Sequence, residues 1–426
     1  MQLNAYPKYK DSDIQWIGKI PEEWDINKVK HNVNSLGKTG LEASEGNEEG
    51  KYPFFTSSQI QNKFIEKAVF NSECLILSTG GCASIHYFNG GFSASNDCMV
   101  LKKQKNISLI FLCYQILDNL QVIDDLGFWG MGLRHLQKYF FYNLFVCWPR
   151  KEEQIKIADF LDKKTAEADD LIEKDKKLIE LLKEKRTALI NHTVTKGLDP
   201  NAKMKDSGIP WIGKIPENWE AKKLKQISEI NISNVDKKSD EDEPEVLLCN
   251  YIDVYKNEFI DSTINFMKAT ASVEQIRRFT IKMGDVIITK DSEEPTDIAI
   301  PALIIEDLKN VVCGYHLALI RSNKMILDGS FLFRALQSKQ INDQFITEAN
   351  GVTRFGISTY PILNSYILIP PLSEQIQIAE YLDKTTLKID RTIEKTEAKL
   401  ELLEEFKKSL IHHAVTGKID IREVKI

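Results

Sequence analysis

EQIKIADFLDKKTAEADDLIEKDKKLIELLKEKRTALINHTVTKGLD, Glu153 to Asp199, returns 221 residues later as EQIQIAEYLDKTTLKIDRTIEKTEAKLELLEEFKKSLIHHAVTGKID, Glu374 to Asp420, with 23 of 47 positions identical and no gap. A second pair precedes these blocks: KDSDIQWIGKIPEEWDINKVK (Lys10 to Lys30) returns as KDSGIPWIGKIPENWEAKKLK (Lys205 to Lys225), 14 of 21 identical at an offset of 195. The chain is a tandem duplication. Between the repeated blocks lie two inserts, about Val33 to Trp148 and Ile227 to Pro370, that cannot be aligned over most of their length. The frame was kept while the inserts diverged, and the growing offset makes the second insert 26 residues longer.

The 47-residue block carries apolar residues at helical spacing, dense charge, and no Pro or Gly before its TKG and TG stops. It predicts one helix from about Glu152 to His192, roughly 60 Å long at 1.5 Å per residue. A helix of that length needs a partner. The heptad seam reads Leu161, Ala168, Asp175, Leu182, Leu189 in one copy and Leu382, Ile389, Thr396, Leu403, Leu410 in the other, flanked by Ile172, Ile179 and by Ile393, Leu400. Each copy's stripe is the natural partner of the other in a twofold-like antiparallel pair. That pairing sets Leu161 against Leu410, Leu189 against Leu382 and Asp175 against Thr396, with an inserted domain at each end. The inserts read as strand-rich: Cys74 to Ser78 (CLILS), Gly284 to Lys290 (GDVIITK) and Tyr315 to Ile320 (YHLALI) alternate with Gly, Asn, Asp and Pro punctuation.

At 426 residues and 48.8 kDa the chain exceeds one ordinary core. The longest apolar stretches, around Tyr139 to Pro149 and Ser108 to Leu117, fall short of the roughly 18 residues a spanning helix needs. Seven Cys with no CxxC pair suggest reduced thiols and a cytoplasmic setting. The net charge of −6 is distributed as 0 over residues 1–150, −1 over 151–199, −4 over 200–372 and −1 over 373–426. No segment is basic overall, so any phosphate-binding face must come from an uneven local distribution.

The order of WIGKIPxxW, variable domain, proline-led EQxxIAxxLD helix and TxG stop, followed by the same order again, resembles the specificity subunit of Type I restriction-modification systems across essentially the whole chain. The resemblance implies an α+β fold. Two small α/β target recognition domains, residues 1–150 and 197–371, would be separated by conserved spacer helices, 151–196 and 372–426 with the tail, that form an antiparallel coiled coil. Each domain would read one half of a bipartite double-stranded DNA target. The helices would set the spacing and dock two modification (methyltransferase) subunits, and restriction (translocase/endonuclease) subunits would join them. S-adenosylmethionine, ATP and magnesium are then expected on those partners, with no catalytic residue, metal or cofactor on this chain and no membrane partner. The residues agree: there is no GxxxxGK[ST] loop, no Asn/Asp-Pro-Pro-Tyr/Phe tetrad and no strand, Gly-rich turn and helix cofactor signature. Gly127, Gly130 and Gly132 in GFWGMG imitate one weakly. The acidic-x-Lys pattern of nucleases, at Asp175 to Lys177 and Glu397 to Lys399, falls on solvated helix faces. The competing functions are an enzyme acting alone and a coiled-coil protein-binding adaptor without DNA recognition.

For DNA contact the first insert offers Ser57, Ser58 and Gln59 in a donor-rich loop, then Thr79, His86 and Asn96 beside glycines that let a backbone approach phosphate. Ordinary polar turns and hairpins would look the same. The second insert offers Lys290 for phosphate, Ser292 for a base, and the Arg277 and Arg278 pair, which a solvent-exposed face explains equally well. Arg134 in GLRHLQ and Arg354 in GVTRFGIS occupy comparable places before the spacer helices and suggest a shared backbone clamp. Trp16, Trp24, Trp211 and Trp219 lie in the duplicated frame and are expected in the core. His192, His412 and His413 end the helices, where a cation favours the dipole.

Overall fold

The computed structural model describes residues 4–238 and 240–425, so the acidic run from Asp236 to Glu245 is described apart from Ser239. The chain divides into two units, residues 1–176 with 397–426 and residues 177–396. Both repeated blocks are long helices, Lys151–Lys196 and Leu372–Val415. The first runs one turn past His192, with Thr195 Oγ1 donating to Asn191 O, and stops where Gly197 takes φ +79°. Each unit therefore contains one insert and one half of each helix.

Within each unit the two helix halves run antiparallel. In the first, Asp169 pairs with Lys407 at 2.6 Å and Asp175 with Lys399 at 2.8 Å, so the numbering falls along one helix as it rises along the other. In the second, Arg186 Nε donates to Asp390 at 2.8 Å, and Ile190 and Val194 share a core with Ile378 and Leu382. The buried positions Leu161, Thr165, Ala168, Asp175 and Ile179, and Leu382, Thr386, Ile389, Ile393, Thr396 and Leu410, follow the alternating three- and four-residue spacing of a heptad seam. Leu182, Leu189 and Leu403 are half-buried. In its unit Asp175 pairs with Lys399, three residues beyond Thr396 in the sequence, and Thr396 Oγ1 bonds its own helix at Thr392 O. The ammonium gives this buried carboxylate a charge-assisted partner within the seam.

The inserts, unalignable as sequences, have one topology. In the first unit the hydrogen-bonded order is Val33–Ser35, Cys98–Lys103, Phe70–Ser78, Ile85–Ala94, Tyr52–Phe55, Lys63–Ile65. In the second it is Ser228–Ile232, Leu317–Ser322, Val286–Thr289, Pro301–Ile304, Phe259–Ile260. Three antiparallel pairings followed by one parallel pairing occur in both. The second insert adds a three-stranded sheet of Glu245–Cys249, Met267–Thr270 and Val311–Cys313. In the first unit, Phe55, Cys74, Ile76, Phe92, Ala94, Cys98 and Val100 form a separate core on one face of the sheet.

The conserved frame residues join insert to helix in the same way twice. Gln154, buried, accepts from Ser108 N (3.0 Å) and donates to Pro149 O (2.8 Å). Gln375 accepts from Asp328 N (2.8 Å) and donates to Pro370 O and Ile326 O (both 2.9 Å). Two turns on, Asp162 accepts from Tyr114 Oη at 2.7 Å and Asp383 from Arg334 Nε at 2.8 Å. The Gln of EQ and the Asp of LD are thus clamps on the insert. Of the four frame tryptophans, Trp24 and Trp219 are buried, whereas Trp16 is 52% and Trp211 43% exposed, against expectation. Both exposed rings sit in the turn closed by Ser12 N to Gly18 O and Ser207 N to Gly213 O, where the following isoleucine turns inward instead.

Two measurements test this frame. Gln375→Ala strips partners from Asp328 N, Ile326 O and Pro370 O and should destabilise the protein by about 1–3 kcal/mol, read by denaturant unfolding, with Gln154→Ala acting the same way in the first unit. His412 is bonded to Asp118 at 3.0 Å, and that hydrogen bond holds its pKa above the usual histidine value. A raised folded-state pKa means the stabilisation is complete below about pH 6.5 and is lost as pH rises through the higher folded value. His412→Gln should therefore abolish a small excess of stability at pH 6 over pH 8, under about 1 kcal/mol because the pair is partly exposed.

Candidate nucleic-acid interface

In the first unit, the loop after strand Phe70–Ser78 meets a short hairpin, Phe128–Trp129 with His135–Leu136. Leu136 N donates to Thr79 O (3.0 Å), Gly81 N to Arg134 O (2.9 Å), and Gly80 bridges His135. Thr79 N in turn donates to Asp97 O (2.6 Å). In the second unit the same corner is built from different residues: Lys290 N donates to His316 O and Ile357 N to Lys290 O, both at 2.9 Å. There the hairpin Asn350–Gly351 with Phe355–Gly356 pairs directly with Asp291–Ser292. These bonds make Thr79 the equivalent of Lys290, and Leu136 the equivalent of Ile357.

The expected DNA-contacting residues are distributed unevenly around these corners. Ser57, Ser58 and Gln59 lie in a loop held by His86, whose Nε2 contacts Ser58 O at 3.0 Å while its ring packs on Phe55 at 5.3 Å. Asn96 is occupied, accepting from Gly40 N (2.9 Å) and donating to Glu42 (3.1 Å), so it fastens the loop of residues 37–42. Ser292 is 6% exposed and accepts from Glu294 N. Lys290 is half-buried at its corner, and Arg277 is exposed with no hydrogen bond or ion pair among the described residues. Arg278 Nε donates to Asn231 at 2.8 Å.

Arg134 and Arg354 are not equivalents. The hairpin registers align Trp129 with Asn350 and Gly130 with Gly351, which sets Leu133 against Arg354 and Arg134 against Phe355. A one-residue slip reverses the face on which a strand side chain lies. Arg134 accordingly folds back onto Asp124 at 2.8 Å, while Arg354 is exposed at the hairpin tip. Against the desolvation that would raise it, Arg134 and the amide of Ala83 (2.6 Å) hold the Asp124 carboxyl below its ordinary range.

The second corner also gathers aromatic groups that pattern reading passed over. Tyr251 and Tyr255 stack at 5.6 Å, with Tyr255 Oη bonded to Asp297. His316, in a left-handed conformation at φ +69°, bonds Asp291 and packs edge-on against the half-exposed Tyr315 at 3.9 Å. The four-residue spacing of Tyr251 and Tyr255 on one short helix was the legible signal; the His316 contact, between residues far apart in sequence, had none. The second corner offers hydrogen-bonding groups, the cations Lys290 and Arg354 and exposed rings, and the first offers the exposed Trp129 ring, features suited to phosphate, base-edge and stacking contacts. Among the described residues no cluster of three or more His, Cys, Asp or Glu is placed to hold a metal ion, and no helix is long and apolar enough to cross a membrane.

Residues 21–181 and 216–405 match the family described as Type I restriction modification DNA specificity domain. The Type I restriction enzyme MjaVIII specificity subunit of Methanocaldococcus jannaschii is 25% identical over 98% of both chains. The HsdS subunit from Thermoanaerobacter tengcongensis shares the fold at TM-score 0.52 and 14% identity, covering 94% of this chain and 98% of that one. A solved chain from a study of complex assembly and conformational transition in the type I R-M system shares it at TM-score 0.63 and 14% identity, covering 94% and 99%.

Removing Asp124 tests the latch. Asp124→Ala leaves Ala83 N without its acceptor, a loss of about 1 kcal/mol. Amide exchange at Gly81 and Leu136 should rise about five-fold while the core strand Phe70–Ser78 stays protected.

Proposed function

The chain belongs to the Type I restriction modification DNA specificity family, and from that premise we propose that its two inserts each read one half of a bipartite duplex target. It is a DNA-recognition subunit, non-catalytic by family. The observation that carries the two-half reading is the repetition of one sheet order and one loop-and-hairpin corner on sequences that no longer align. Packing requirements were retained; the loops at the corner were not. A protein that must present two different recognition surfaces from one scaffold has this property, and an adaptor with a single partner has no need of it.

For the rest of the complex, two modification subunits would dock on the long helices. Apolar residues stay exposed at the same offset in both copies, Ile155 with Ile376 and Leu181 with Leu402, a pattern that fits one kind of partner bound twice. S-adenosylmethionine, ATP and magnesium would be held by the modification and restriction subunits. A reducing cytoplasm suits seven thiols that form no disulfide, six of them buried.

The test exchanges residues 226 to 365 for the insert of another family member and sequences the methylated motif made by the assembled complex. One half of the motif should change and the other should stay. Four residues added within a long helix, about 6 Å, should alter the gap between half-sites and none of their bases. Changes in both halves after the single exchange refute the modular reading. Affinity for duplex DNA that does not fall with salt favours the adaptor.

A further inference from the structure

The two corner hairpins have one backbone and opposed chemistry. Gly130 takes φ +144° and Gly351 φ +159°, and at each a Cβ would collide with the carbonyl three residues on, Leu133 O or Arg354 O. Glycine is required at both for the same turn. Beneath the first tip, Phe128 and Leu136 are buried and the Arg134 to Asp124 bond fastens the strand to the helix Leu120–Gly127. Above them Trp129 is 66%, Met131 104% and Leu133 66% exposed. In the second hairpin the same positions hold Asn350, Val352 and Arg354, all exposed.

This contrast differs in kind from the other exposed apolar residues. Ile155, Leu181, Trp16 and Tyr139 recur at the equivalent places as Ile376, Leu402, Trp211 and Tyr360, all exposed, as expected for a partner that meets both repeats alike. The hairpins preserve the turn and replace every tip side chain, as expected for a ligand that differs between the repeats. In a two-half recognition subunit that ligand is the DNA sequence itself. We propose that these hairpins are specificity-determining elements, with Arg354 and Asn350 hydrogen-bonding base edges in one half-site and Trp129, Met131 and Leu133 making apolar contact with bases in the other. Arg354 suits the O6 and N7 acceptors of guanine, and Asn350 suits adenine. The first tip carries one donor, the Trp129 indole N–H, and otherwise distinguishes bases through the thymine methyl group.

This inference rests on the DNA-recognition reading, and the experiment separates their failures. The chain is assembled with its modification subunits, and methylated motifs are sequenced for wild type, Arg354→Ala, and a chain whose residues 129–133 are replaced by the sequence of residues 350–354. Arg354→Ala should relax one G·C position in one half, reducing discrimination there roughly 5- to 150-fold. The transplant should change bases only in the other half. Should Arg354→Ala fail to assemble, Arg354→Lys keeps the charge, loses the two-pronged geometry and gives the same readout. A bipartite wild-type motif that both variants methylate unchanged overturns the inference alone. Loss of modification-subunit binding with the transplant also overturns it, since the tip would then be a protein contact. Absence of any bipartite motif for wild type overturns the recognition reading beneath it.

Discussion

Neither repeat buries its own frame alone. Trp24, in the first WIGKIPxxW segment, is covered by the end of the second long helix, where Ala414, Val415 and the left-handed Gly417 pack against Pro21 and the indole ring. Trp219, in the second segment, is covered by the end of the first helix through Ile190, Val194 and Gly197. Both glycines adopt a positive φ, at +69° and +79°, and both leave no room for a Cβ without displacing neighbours. Each unit is complete only with a helix end from the other repeat. This is why the TKG and TGK stops were retained, and why Lys196 bonds Lys214 O as Lys418 bonds Lys19 O.

Given that closure, the inserts are free to change. Three ties to the frame recur in both units: one glutamine at the head of each helix, one aspartate two turns later, and one antiparallel strand pair, Asp25–Lys28 with Phe145–Trp148 or Glu220–Lys223 with Tyr366–Ile369. The partner of that aspartate has already changed, from Tyr114 to Arg334, without loss of the contact. Arg334, fully buried, is further satisfied by Gln337 at 2.7 Å and Glu258 at 3.3 Å, as a buried guanidinium must be. Recognition surfaces can then evolve at the corner hairpins while the clamps keep the fold.

On the proposed reading, in which the corners make the base contacts, a chain of net charge −6 can meet DNA because only those loops need to do so. Two carboxylates at them have partners, Asp124 in Arg134 at 2.8 Å and Asp291 in His316. Neutralised carboxylates repel phosphate less than free ones, so the mean charge of a segment is a poor guide to the potential at a given loop.

Duplication, helix length, the heptad seam and the strand-rich inserts were legible in the sequence because each depends on local periodicity or on direct repetition. The family resemblance followed from the same repeated residues. Register and pairing of side chains were not legible. The ion pair of Asp175 with Lys399 is a contact that no heptad pattern specifies, and Trp16 is exposed while Trp24 is buried because a tight turn carries the first of them outward. Arg134 and Arg354 look alike in sequence, yet a one-residue offset between two hairpins points one back at Asp124 and the other outward. The shared topology of the inserts was equally invisible: it resides in backbone pairing between distant strands, which persists after the side chains that encode it have been replaced.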